Sequence, residues 1–152
     1  MGTGRVSCDA AELARELGMK KVFVPLEAGV FCAFGMTVTD VRHDHLTALH
    51  AVSDEFDLEA VNGVLAAMEE RARAELLEEG FAPEEISLQR SVDARYPGQV
   101  HEITVPVPSG HRLESADVAE LVADFHEQHL AQFAYNRESM PIECLHWRVA
   151  AI

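Results

Sequence analysis

Leu58, Val61, Leu65, Met68, Ala72 and Leu76 fall at spacings of 3, 4, 3, 4 and 4, a single apolar stripe along a helix from about Asp57 to Glu79. Ser53 or Asp57 can cap its start, Gly80 suits the position just past its end, and Pro83 blocks continuation. A second helix, about Asp117 to Phe133, carries Val118, Leu121, Val122, Phe125 and His129 on one face, with Asp117 and Glu120 in a capping-box-like start. Between the two, the pattern predicts strands over Glu85–Arg95 and Val100–Val107, joined by a turn at Tyr96-Pro-Gly98. In the second strand Ile103, Val105 and Val107 share a side with His101, opposite Val100, Glu102, Thr104 and Pro106. Ile142 to Ala150 reads as a closing strand.

The first forty-odd residues follow a different plan. Ala10 to Leu17 read as a short helix between Asp9 as N-cap and Gly18. Lys21 to Pro25 read as a short strand, and Glu27 to Thr39 as a Gly-interrupted apolar run forming a tight helix or turn. From Thr37 to Leu49 the alternation is poor, which predicts an extended connector. A helix and a strand of this size cannot bury their apolar sides against each other alone. The pattern therefore predicts an α+β chain in two parts. Residues 1–43 form an α/β segment completing a larger domain on a partner, and residues 44–152 form an antiparallel sheet with two amphipathic helices.

Twelve basic against 26 acidic side chains give a formal charge of −14. Such a surface repels phosphate backbones and anionic lipid, which argues against nucleic-acid and membrane partners. The three cysteines, Cys8, Cys32 and Cys144, are odd in number and far apart, as suits small buried side chains in a reducing cytoplasm.

Three groups carry candidate chemistry. Met1-Gly-Thr-Gly-Arg5 precedes a helix, where free backbone N–H groups can meet phosphate, but two glycines alone do not make a phosphate loop. His43 and His45 share one side of an extended segment, and His126 and His129 are neighbours on one helix face. Each pair offers two donors where a structural zinc site uses four, so the expectation is hydrogen-bonded histidines and no metal. Asp93 and Arg95, two apart on a strand, are expected to pair, with Gln99 meeting the remaining donors across the turn. Together with Tyr96, Glu143 and Arg148 they read as a structural or interface network rather than a general acid–base site. No Ser–His–Asp order or Walker-type loop is present, so nucleophilic catalysis by this chain alone has no support.

The stretch from Ser91-Val-Asp-Ala-Arg-Tyr-Pro-Gly-Gln99 through Val100–Pro108 resembles a signature of the hydantoinase A, 5-oxoprolinase and ATP-dependent ketone carboxylase family. Val24–His43, Phe125–His129 and Pro141–Arg148 agree with it, in family order. The resemblance covers nearly the whole chain but only the last part of the longer family polypeptide. It implies an enzyme that spends ATP either to hydrolyse cyclic amides or to carboxylate ketones, with ATP held in an actin/Hsp70-like domain. A piece of this size resembles the small subunit of an acetophenone-carboxylase-type complex. What the resemblance implies is a mainly architectural chain with no catalytic residue of its own. ATP and Mg would be bound by partner chains, the larger hydantoinase A- and B-like subunits. The family's Gly-Gly-Ala-Gly-Pro-like nucleotide loop is replaced here by Gly2-Thr-Gly-Arg-Val-Ser-Cys8. The other readings are a cyclic-amide hydrolase subunit, a non-catalytic interaction protein, and a small independent hydrolase using Asp93 and the histidines.

Overall fold

A computed structural model describes residues 11–24, 26, 29–37 and 39–152. The chain divides into two units, Met1–Asp40 and Val41–Ile152.

In the first unit, helix α1 occupies residues 11–16. It ends where Gly18 turns left-handed (φ 66°), with Met19 N–H bonding to Ala14 C=O at 2.8 Å and Gly18 N–H to Arg15 C=O at 3.3 Å. That closure answers two carbonyls the helix end leaves open. Residues 21–24 form no strand, because a strand exists only as a ladder with a neighbour and this unit supplies none among the described residues. Pro25 lies outside the described residues, as do the Met1–Arg5 glycines, Cys8 and Asp9. Helix α2 spans Phe31–Thr37 and buries no residue. Of the unit's described apolar side chains only Ala14 is buried; Phe23 is 89% exposed, and Leu17, Val30 and Phe31 are more than half exposed.

The second unit is α+β: a four-stranded antiparallel sheet in the order β1-β4-β2-β3, with two helices on one face. The strands are β1 (His43–Val52), β2 (Leu88–Arg95), β3 (Ile103–Val107) and β4 (Glu143–Ala151). The helices are α3 (Leu58–Glu78) and α4 (Ser115–Phe133). Helix α3 follows its stripe closely: Val61, Leu65, Met68, Ala72 and Leu76 are buried, and Asp57 caps it by accepting the Ala60 N–H. Gly80 (φ 98°) and Phe81, whose N–H reaches Leu76 C=O, close its far end. The start of α4 lies two residues earlier than the sequence suggested, because Glu114 and Asp117, rather than Asp117 and Glu120, form the capping box.

Below the helices, Val92, Ala94, Ile103, Val105, Val107, Cys144, Trp147, Val149 and Ala151 form the sheet side of the core. β3 is an edge strand, and its solvent-side Pro106 removes a donor that an intruding strand could use. Where the sequence suggested a connector, β1 is a ten-residue strand whose cover alternates strictly from His43 to His50. Its covered positions are His43, His45, Thr47 and Leu49, while Leu46 faces outward, so polarity hides the alternation. The Cys144 thiol is fully buried, and burial pushes its pKa up to about 12. Cys32, by contrast, is exposed on α2. No described helix is long and apolar enough to cross a membrane.

Candidate functional site

The charged residues singled out from the sequence gather on the sheet face away from α3 and α4, but with different partners. Asp93 and Arg95 do not pair. Residues two apart on a strand are separated by about 6.5 Å of rise, whereas cross-strand neighbours are nearer. Arg95 stands opposite Glu143 in the register and donates to its Oε2 at 3.0 Å. Asp93 accepts from Arg148 Nη2 at 2.9 Å on one oxygen and from the Thr104 hydroxyl at 2.6 Å on the other. A register shift between Asp93 and Ala94 lets both pairs form, since Asp93 lies opposite His146 while Ala94 lies opposite Cys144. His146 Nδ1 comes within 3.4 Å of Glu102, and Asp93, Glu102 and His146 bring ligand-type atoms within 4.8 Å of one another.

At the end of the sheet, the Tyr96-Pro-Gly98 turn meets α4. Tyr96 is buried edge-on against Phe125, ring centres 5.0 Å apart. Its hydroxyl accepts the Arg137 backbone N–H at 2.7 Å and lies 2.6 Å from His126 Nδ1. The imidazole tautomer sets which of the two donates in that contact. His126 Nε2 is buried and without a partner. In His129 the carbonyl partner fixes the tautomer: Nδ1–H donates to Tyr135 C=O at 2.7 Å, and Nε2 accepts from the Gln99 amide at 3.3 Å. Gln99 also donates to the Tyr135 hydroxyl at 2.8 Å and accepts the Tyr96 N–H at 3.4 Å. Of the i, i+3 histidines, His129 is thus engaged through both ring nitrogens and His126 through Nδ1.

Burial lowers the His126 pKa below the ordinary imidazole value, while Glu138 pulls it upward and His129 lowers it further. A histidine held neutral in the fold is protonated first in the unfolded chain, so stability present above about pH 6.5 falls as pH drops through that value. The carboxylates held below their usual range, Asp44, Glu75 and Asp117, act only at lower pH. Urea midpoints at pH 7.5 and pH 5.5 should therefore differ less in His126→Gln than in the parent chain. Equal slopes would remove the imidazole as the cause.

The other pair, His43 and His45, lies on the covered side of β1 and faces α3. His43 Nε2 is 3.0 Å from Glu79 and His45 Nε2 is 3.1 Å from Glu75. Asp44 points the opposite way and is held by Arg42 through two contacts of 2.8 and 3.0 Å. Sequence reading missed the helix carboxylates and one further group. The Arg90 guanidinium is buried and makes a two-pronged bond to Glu69 at 2.6 and 2.9 Å, with Nη1 donating to the Pro108 and His111 carbonyls. An Arg in a strand and a Glu in a helix 21 residues earlier carry no local signal of meeting.

Residues 52–141 match the hydantoinase/oxoprolinase C-terminal domain, and residues 1–45 match the hydantoinase/oxoprolinase domain. Caprolactamase subunit alpha of Pseudomonas jessenii is 37% identical over 152 residues, 98% of this chain and 22% of the relative. The crystal structure of the ATP-dependent caprolactamase from Pseudomonas jessenii superposes with a TM-score of 0.77 at 36% identity, covering 98% of this chain and 22% of that one. Nucleotide-free acetone carboxylase shares the fold, with a TM-score of 0.74 at 16% identity over 84% of this chain and 19% of that one. The chain thus spans about a fifth of the length of the proteins it matches. With both family models matched in order along the chain, the chain belongs to the hydantoinase/oxoprolinase family.

Proposed function

We propose that this chain has a mainly architectural role in an ATP-dependent enzyme of its family, and that the assembled enzyme opens a cyclic amide. The observation that carries the reading is the 37% identity to caprolactamase subunit alpha along 98% of this chain. ATP and Mg are held by the larger hydantoinase A- and B-like parts. Residues 1–43 complete the nucleotide-binding domain, an assignment supported by the exposed apolar side chains of that segment and by its separate family match. Residues 44–152 dock as the α+β domain. Asp93–Arg148 and Arg95–Glu143 on the open sheet face, with Tyr96 and Gln99 at the turn, hold that domain's shape against its neighbours. The unpaired thiols of Cys32 and Cys144 fit a cytoplasmic setting.

The second reading, rooted in the same family signature, is ketone carboxylation of the acetophenone carboxylase type. Both are tested on the complex purified with its companion chains. ADP release stimulated by caprolactam or 5-oxoproline supports ring opening. ADP release that instead requires acetone or acetophenone together with bicarbonate supports carboxylation. Saturable micromolar ATP binding by this chain in isolation would overturn the architectural role in either case.

A further inference from the structure

We propose that Asp93 of β2, Glu102 just before β3 and His146 of β4 bind one divalent transition-metal cation on the open face of the sheet. The proposal stands apart from the reading of the whole enzyme. Each residue offers one ligand atom, and the three atoms lie within 4.8 Å of one another, close enough for one ion to touch all three. One imidazole nitrogen and two carboxylate oxygens, with water in the open positions, suit zinc or manganese. The imidazole tells against calcium and magnesium, which take oxygen ligands.

The register of three strands brings the ligands together. Asp93 stands opposite His146 of β4 on one side and opposite Thr104 of β3 on the other. Glu102 lies two residues before Thr104 and on the same side of the chain, with Ile103 between them turned into the core. β3 and β4 are not neighbours, because β2 lies between them. His146 Nδ1 nevertheless reaches within 3.4 Å of Glu102 Oε2, so the two side chains lean toward each other over β2, the strand that carries Asp93. That separation is longer than an ordinary hydrogen bond. A nitrogen and an oxygen both about 2.1 Å from one tetrahedral ion stand about 3.4 Å apart.

Asp93 is steadied from outside, as a ligating carboxylate needs to be. Its oxygens take the Thr104 hydroxyl at 2.6 Å and Arg148 Nη2 at 2.9 Å. Those bonds use two of about four lone-pair sites and leave the others to an ion. The Arg148 charge opposes a cation, but it stands alone against the carboxylates of Asp93 and Glu102, while Arg95 is taken up by Glu143 at 3.0 Å. The centre therefore stays negative, in a chain whose formal charge is −14. The Glu102 and His146 side chains are 28% and 39% exposed, so an ion enters from solvent and keeps water without any part of the fold opening.

The test is made on the full chain stripped with a chelator. Zinc is titrated by calorimetry, and manganese(II) by the loss of its free-ion spin-resonance signal. The expected result is one ion per chain, with affinity reduced about 10-fold or more in His146→Ala and in Glu102→Gln. His43→Ala and His50→Ala should bind as the parent does, and equimolar calcium should not displace the ion. Glu102 and His146 are surface side chains outside the core, so these variants keep the fold and decide the matter even if Asp93→Asn, which weakens the Arg148 pair, does not. Absence of stoichiometric uptake, uptake unchanged in His146→Ala or Glu102→Gln, uptake lost in His43→Ala or His50→Ala, or displacement by equimolar calcium would each overturn the assignment.

Discussion

Trp147→Ala should lower the stability of the α+β unit by about 3–5 kcal/mol, the range for deleting a fully buried large side chain. Trp147 sits in the inner strand β4 with no exposed surface, edge-on to Phe56 at 5.9 Å. Its Nε1–H donates to Leu49 C=O at 3.0 Å, tying β4 to β1 through a side chain as well as the ladder. Alanine leaves a cavity and also an unanswered carbonyl. Against a total stability of about 5–15 kcal/mol for an ordinary domain, that is a large share. Trp147→Phe, which restores a ring but not the donor, should fall between the two. Urea unfolding followed by circular dichroism measures all three, since Trp147 is the only tryptophan and its fluorescence is lost with it. A loss below about 1 kcal/mol for the alanine variant would mean that Trp147 is not at the packed centre.

How far the sequence foretold this arrangement depended on whether the informative contacts were local. Helix α3 was legible because an apolar stripe, a capping Asp57 and a terminating Gly80 agreed with one another, and such agreement across levels marks a well-specified element. β2, β3 and β4 were legible from alternation and from the Pro-Gly turn, although both β2 and β3 proved shorter at their N-terminal ends. β1 was not legible. Three of its four covered positions are polar, two of them imidazoles that face glutamates on α3, while Leu46 looks out. A hydropathy pattern reads side chains one at a time and cannot see that partner.

The same limit governs the site. Asp93, Arg95, Glu143 and Arg148 were visible as charges in strands, yet which paired with which was fixed by the register of β2 against β4 and by its one-residue shift. The i, i+2 spacing suggested Asp93–Arg95; the ladder supplied a nearer partner to each. Tyr96, Gln99, His126 and His129 were likewise visible singly, and the turn brings them to one end of α4. Where both halves of an interaction lie within one element, sequence spacing suffices. Where they lie on two elements, only the fold says which carboxylate faces which base.

Arg90 is the sharpest case of such a hidden partner, and it carries the second large prediction. Its side chain is 6% exposed and that of Glu69 19%, so the pair sits largely out of water. Removing one partner of a buried pair leaves the other charge uncompensated, at a cost of about 3–5 kcal/mol. Arg90→Met should therefore approach the Trp147→Ala loss, although methionine keeps much of the apolar stem. Glu69→Gln retains an acceptor and should cost less. The double variant Arg90→Met, Glu69→Leu should recover part of the single Arg90 loss, because no orphan carboxylate remains. It should not recover all of it, since the Pro108 and His111 carbonyls still lack their donor. Those carbonyls lie in the loop leading into α4, which Asn62 also holds by accepting the Leu113 N–H at 2.8 Å and donating to Leu113 C=O at 3.0 Å. Amide exchange at Leu113 should therefore speed up in Arg90→Met, and only partly slow again in the double variant. With Glu69→Leu measured as the second single variant, simple additivity of the four stabilities would mean that the Arg90–Glu69 contact contributes no coupling.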